Sequence, residues 1–262
     1  MSDMSEKITY RPLQGAAKEK TEWETRVDLA AMFRLMAMHG MSNMAGNHIT
    51  ARVPGSHEEI LINPYGMMYE EITASSLYKI DLEGKILSQP DLPYGINPAG
   101  YVIHSAIHRA RHDVQCVVHT HTRAGVAVSC MEEGLLPLNM TAMNITDDMG
   151  YHEYEGPIVK LDEQARLVAH LGKSSNIMLR NHGLLSCGRT IAEAFYLIYQ
   201  FEEACRVQVD LMASGGKLHW PRNAATHNTA EVMQQLRHVP RGDVEWASLR
   251  RSVDRVMPGY DK

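Results

Sequence analysis

No apolar run in this 262-residue chain approaches the roughly 18 residues needed to cross a bilayer. Its first residues, MSDMSEKITYRPL, are polar and mixed in charge. The chain is therefore expected to be neither secreted nor membrane-spanning, but cytoplasmic. Cysteine is sparse: Cys116, Cys130, Cys187 and Cys205 form no C-x-x-C pair, and each lies in an apolar or helical context. That excludes a disulfide framework and leaves reduced, packed thiols. Lys and Arg never cluster beyond a dipeptide, and the net charge is −5 at pH 7. Nucleic acid and anionic membrane are thereby excluded as the main partner. Repeats, low-complexity tracts and strong linkers are lacking too, so the length is that of one large domain. The expected ligand is a small molecule.

What is present is histidine in a telling arrangement. His119 and His121 stand two apart in the apolar run CVVHTH, and His182 lies in IMLRNHGLLSCG. Residues two apart on a strand share a face, so His119 and His121 can offer ring nitrogens to one cation at about 2.0 to 2.1 Å while Thr120 faces away. His182 sits in an Asn-His-Gly turn between two apolar runs, where Gly183 is expected to take the positive φ that aims the ring off the strand ends. Three neutral imidazoles leave a coordination position open, the pattern of a catalytic rather than a structural site. The competing explanation is that H-x-H arose by chance among half-buried histidines.

The element pattern alternates between helix and strand periods. A Thr21-x-x-Glu24 capping box opens a helix that runs to His39, with Gly40 as its stop. Strands are expected at His48 to Val53, Glu59 to Ile62, Tyr78 to Asp81 and Lys85 to Leu87. A helix from Ala99 to Arg111 leads into a strand from Gln115 to Thr120 and a small-residue helix from Ala124 to Met131. Leu135 to Leu138 reads as a short strand, and TAMNITDDMGYHEYEG as an irregular loop. Glu163 to Leu171 is helical, Asn176 to Leu179 and Leu184 to Ser186 form the strand pair around His182, and a long helix runs from its Thr190 cap to Gly215-Gly216. The plan is an extension over residues 1–20, a body over 21–216 and a tail over 217–262, helical at Ala230 to Arg237 and Val244 to Val256. The seventeen methionines read as packing, and Glu132-Glu133 and Asp147-Asp148 as solvated turns.

Together these segments resemble the class II aldolase/adducin head-domain family over roughly Val27 to Gly215, with wording closest to adducin. The resemblance rests on NHITAR at Asn47 to Arg52, INPYGMMYEEITASSL at Ile62 to Leu77, HSAIHRARHDVQCVVHTHTRAG at His104 to Gly125, and LRNHGLLSCG at Leu179 to Gly188. It implies an α/β fold, three-layer α/β/α with a mainly antiparallel central sheet, and a homotetramer with active sites between subunits. It also implies that His119, His121 and His182 bind a divalent metal, Zn²⁺ first, with Fe²⁺ or Mn²⁺ as alternatives.

The departures from the aldolases are equally informative. Where those enzymes carry Ser-Ser-Glu, two phosphate-binding serines and the acid/base, this chain has Pro98-Ala99-Gly100. Asn47-His48 takes the place of the phosphate-binding Gly-Asn, and Asn63-Pro64-Tyr65-Gly66 that of a Thr-Pro-x-Gly loop. Asn47, Asn63 and Gly66 are thus the substrate-binding candidates, for a substrate without phosphate. Tyr101, beside the replaced glutamate, and His48 are the candidate proton carriers, with His104 and the His152-Glu153 pair as further possibilities. For His104, on a helix with apolar neighbours, a bracing role behind a metal ligand is expected, with His108 on the same face.

A cation with an open edge can chelate a 2-oxo or 2-hydroxy acid and hold charge as an enolate forms. Retro-aldol cleavage then needs a base for the hydroxyl proton, whereas decarboxylation of an oxo acid does not. The function expected is a metal-dependent carbon-carbon lyase, by aldol cleavage or decarboxylation, on a small oxo or hydroxy acid. Two alternatives are a non-heme iron oxygenase of an aryl oxo acid and a non-catalytic, adducin-like interaction module.

Overall fold

The computed structural model describes residues 20–156, 161–236, 239 and 241–262. Eight strands form one sheet in the order β4-β3-β2-β1-β5-β8-β7-β6. They are β1 (His48–Arg52), β2 (Glu59–Ile62), β3 (Tyr78–Asp81), β4 (Ile86–Ser88), β5 (Cys116–Thr120), β6 (Met149–His152), β7 (Asn176–Leu179) and β8 (Gly183–Gly188). Every neighbouring pair is antiparallel except β6 with β7, so the sheet is mixed but mostly antiparallel.

The period of two divides strand side chains between separate apolar clusters. Cys116 and Val118 of β5, Ile49 and Ala51 of β1, and Met178 of β7 join a large cluster with α1 (Glu22–Met38) and α6 (Ile191–Ser214). Val117, Ile177, Leu179, Leu185 and Cys187 instead meet Ile103 and Ile107 of α2 (Pro98–Ala110) and Leu167 and Leu171 of α5 (Leu161–Leu171). Short helices α3 (Arg123–Ser129) and α4 (Met140–Thr146) follow β5. The Thr21 hydroxyl accepts from Glu24 N–H while the Glu24 carboxylate accepts from Thr21 N–H, the reciprocal box expected at the start of α1. Thr190 caps α6, and Gly215 ends it in the left-handed region at φ 64°.

Three expectations need correction. Leu135 to Leu138 forms no strand, and the stretch taken as irregular holds α4 and β6. Asn139 explains the first: its side chain accepts from Ala142 N–H and starts a helix in a segment read as too polar for one. In the tail, α7 (Asn223–Gln235) begins well before Ala230, and α8 (Asp243–Val256) follows. Residues 1–19 of the expected extension and the end of the expected helix at Arg237 lie outside the described residues. The tail packs on this chain: Trp246 Nε1 and Arg250 donate to Asp28 of α1, and Val253 and Tyr260 are buried in the large cluster.

Candidate metal centre

His119 stands at the end of β5, with His48 directly opposite on β1. Its Nδ1 donates to Leu184 O on β8 at 2.9 Å, which fixes the tautomer and leaves the Nε2 lone pair free. His121, just beyond the strand, places Nε2 2.7 Å from that of His119, and His182 places Nε2 2.9 Å from that of His121. All three ligand nitrogens fall within 4.8 Å of one another. Convergent Nε2 atoms, one with its tautomer locked by a carbonyl, are the donor set that one borderline-soft cation accepts. The chain therefore fits a divalent metal.

Burial keeps these rings neutral, as ligation requires. His119 is held well below the ordinary histidine range, chiefly by burial and then by its histidine neighbours. His182 is pushed down to about 4 by burial, then by His121 and His152. His121 Nδ1 lies 3.4 Å from the Asn43 amide nitrogen. Ligation through Nε2 leaves Nδ1–H as a donor, and the amide turned over presents its oxygen to it. Sequence reasoning missed Asn43 because it belongs to no motif.

The turn carrying His182 works differently from the sequence expectation. Asn181, not Gly183, takes the positive φ, 55°. Gly183 is there for close approach: a Cβ on it would stand 2.1 Å from Thr120 O on β5.

Behind the three histidines runs a buried polar row. His48 Nδ1 lies 2.9 Å from His104 Nε2, His104 Nδ1 2.8 Å from Thr50 Oγ1, and Thr50 Oγ1 2.9 Å from His108 Nε2. His48 also has its ring centre 5.4 Å from that of His119, so it stands between His104 and His119. One hydroxyl proton serves two ring nitrogens at Thr50, so one ring donates to it and the other accepts. The row can run in two senses, and the sense decides whether His48 Nδ1 donates or accepts.

The other candidates fall in different places. Tyr101 packs its ring against Gly84 of the β3–β4 turn, beside the cluster of Ile60, Ile62 and Tyr78. His152 Nδ1 lies 2.9 Å from His170 Nδ1, and His152 Nε2 faces Glu163 at 3.6 Å, so its partners come from α5 and not from Glu153. Tyr154 brings its ring within 5.7 Å of His182. Asn47 precedes β1 and Asn63 follows β2, so antiparallel pairing sets both at the His48 end of the sheet. Both Asn47 amide atoms, Asn63 Oδ1 and Thr120 Oγ1 are buried without a hydrogen-bond partner in the protein. Gly66 takes φ 117° beneath the Tyr94 ring.

A cavity of about 510 Å³ opens at the opposite end of β1 and β5, lined by Lys20, Arg52, His57 and Arg189. Its cations are already engaged, Lys20 by Asp28, Arg189 by Glu193 and Arg52 by backbone carbonyls.

Comparison with known proteins agrees with this architecture. The family model described as the Class II Aldolase and Adducin N-terminal domain matches residues 27–209. Alpha-adducin of Mus musculus is 45% identical over 201 residues, 76% of this chain but 27% of its own length. Among solved structures, an aldolase II superfamily protein from Pseudomonas syringae is 41% identical with a TM-score of 0.88, covering 94% of this chain and 98% of that one. L-fuculose 1-phosphate aldolase from Glaciozyma antarctica PI12 is 25% identical with a TM-score of 0.80, covering 94% of each. The chain belongs to the class II aldolase and adducin family.

Proposed function

We propose that this protein is a metal-dependent carbon-carbon lyase acting on a small, non-phosphorylated oxo or hydroxy acid. The observation that carries the reading is the convergence of the Nε2 atoms of His119, His121 and His182, with His119 fixed by Leu184 O. Zn²⁺ is the first expectation, Fe²⁺ or Mn²⁺ the alternatives. A divalent cation bound there supplies a Lewis acid for the substrate's carbonyl or hydroxyl oxygen. The unpartnered Asn47 amide and the unpartnered Asn63 Oδ1 support a polar subsite beside it, since buried orphans of this kind call for a ligand or water. Gly66 belongs to the same loop as Asn63.

His48 is the better proton carrier of the two sequence candidates. It neighbours His119, and its row of partners supports both the donating and the accepting state. In a retro-aldol step it takes the substrate's hydroxyl proton; in decarboxylation it delivers a proton to the carbanionic carbon after CO₂ leaves. Tyr101, packed on Gly84, is kept as a wall residue. His104 braces His48. The split of strand side chains between two clusters supports the three-layer α/β/α arrangement, and a cytoplasmic homotetramer remains our expectation for the assembly.

The second reading, a non-catalytic module, is favoured by the identity to alpha-adducin and by Gly100 in place of the aldolases' glutamate. The test is metal content after anaerobic, tag-free purification, followed by deuterium exchange at C3 of small 2-oxo acids and by product analysis. Metal-replete protein that exchanges or cleaves one of these acids, with loss in His119→Ala, is the expected result. Metal-replete protein inert to all of them sinks the lyase and leaves the module, while iron with oxygen uptake moves the site to an oxygenase.

A further inference from the structure

His119 is oriented by a backbone carbonyl, and His182 by the left-handed Asn181. His121 has neither device. It lies two residues before the start of α3, and the residue between, Thr122, is the N-cap of that helix. A cap threonine ordinarily turns its hydroxyl onto its own helix, yet Thr122 makes no such bond. Its hydroxyl donates instead to the carboxylate of Glu202, which is buried to 2% exposure on α6. The other carboxylate oxygen of Glu202 accepts from Arg206 Nε at 2.9 Å.

Arg206 then reaches a second segment. Its terminal nitrogen donates to His39 O at 3.0 Å, at the C-terminal end of α1. The loop leaving His39 carries Asn43, the neighbour of His121 Nδ1. One ion pair on α6, with its carboxylate buried, thus grips both the backbone that follows His121 and the base of the loop that meets its ring.

We propose that Glu202 and Arg206 are positioning residues for the metal centre, setting the orientation of His121 through Thr122 on one side and the His39–Asn43 segment on the other. This rests on the metal-binding reading above. Neither residue touches substrate or metal. A buried carboxylate that accepts a hydrogen bond from a hydroxyl is a stiff restraint, and a ligand free to turn loses affinity before the fold loses stability.

The experiment compares wild type with Glu202→Gln, Thr122→Val and Glu193→Gln in the full chain. Glu193, near the start of α6, pairs its buried carboxylate with Arg189 just before that helix and serves as the structural control. Zinc affinity is read by competition with a chromophoric chelator, coordination geometry by the visible spectrum of the cobalt-substituted protein, and stability by thermal melting without metal. The expected result is a zinc affinity about 10-fold weaker or more, with an altered cobalt spectrum, in Glu202→Gln and Thr122→Val. Glu193→Gln should melt earlier and bind zinc as wild type does. Wild-type affinity and spectrum in Thr122→Val and Glu202→Gln overturn the proposal, whatever their melting temperatures. Should Glu202→Gln fail to fold, Thr122→Val, which removes one hydroxyl, decides alone. Wild type that binds neither zinc nor cobalt overturns the metal reading itself, a failure visible before any variant is compared.

Discussion

His48 occupies the space that a side chain at position 100 would need: a Cβ built on Gly100 would lie 2.5 Å from His48 Cδ2 and 2.7 Å from Cγ. The glycine at position 100 and the histidine on β1 are one packing solution. A glutamate placed at position 100 alone would displace the ring that now stands beside His119.

The sign of a stability change checks this. Gly to Ala within a helix ordinarily stabilises by roughly 0.5–1 kcal/mol. Gly100→Ala should instead destabilise by about 1–3 kcal/mol, because the added methyl meets a buried ring. In a His48→Ala background the same change should be neutral or stabilising. Urea unfolding of the four proteins of this cycle measures the coupling; an additive cycle would show that the two positions do not compete for space.

His108 gives a pH prediction. Burial, and then the Arg52 charge, push it down to about 3. Its unfolded value is near 6.5, so the unfolded chain binds a proton that the folded chain refuses. The associated stability is complete above pH about 6.5, falls as the pH drops below that, and is fully lost near 3. His48, His104 and His119 shift in the same direction through burial. Metal-free protein should therefore lose stability steeply between pH 6.5 and 5, and His108→Gln should lessen the slope. Urea midpoints across that range, with equal slopes in both proteins, would count against the assignment.

Much of this site could be read from residue order. H-x-H gave a shared face because strand period is two, and Thr50, His104 and His108 meet because i to i+4 spacing puts both histidines on the α2 face toward β1. Three things were not legible. Which residue of Asn181-His182-Gly183 takes the positive φ depends on how close β5 passes, a tertiary fact. The helix at Met140 was hidden because its 7 residues are too few to display a helical period and its Asn139 cap follows a run that mimics a strand. Asn43 and Glu202 reach His121 and Thr122 from 78 and 80 residues away, and no local pattern announces such contacts.

The orphaned amide of Asn47 makes a stability and function trade-off testable. Buried polar atoms without partners cost about 1–3 kcal/mol each when no ligand or water meets them. Asn47→Leu, close in shape, should leave stability unchanged or raise it by about 1 kcal/mol while weakening retention of any bound oxo acid. Thermal melting with and without millimolar 2-oxo acid separates the two effects. A large loss of stability without ligand would mean that the amide already has partners in the folded protein.

Metal should act as a folding ligand. One buried and two half-buried imidazoles come together as a set only in the folded state, so zinc at 100 times its dissociation constant should add about 2.7 kcal/mol. His119→Ala and His182→Ala should each abolish that gain, and a chelator should return wild type to the metal-free melting curve. Zinc that stabilises wild type and both variants equally would place its binding elsewhere on the chain.

The turn at His182 separates two roles that sequence alone merges. Asn181 sits at φ 55°, where glycine is unstrained and a β-branched residue is not, so Asn181→Gly should be near neutral and Asn181→Val destabilising by roughly 1–2 kcal/mol. Gly183 has no positive φ, but a Cβ there would press to 2.1 Å from Thr120 O and 3.4 Å from His121 Cδ2. Backbone cannot yield as a side chain can, so Gly183→Ala should separate β5 from β8 locally and cost about 3 kcal/mol or more. Because Thr120 joins His119 to His121, the same substitution should also abolish zinc binding in whatever fraction stays folded, whereas Asn181→Gly should retain it. Equal zinc affinity in Gly183→Ala and wild type would show that the β5–β8 contact does not hold the ligand set together.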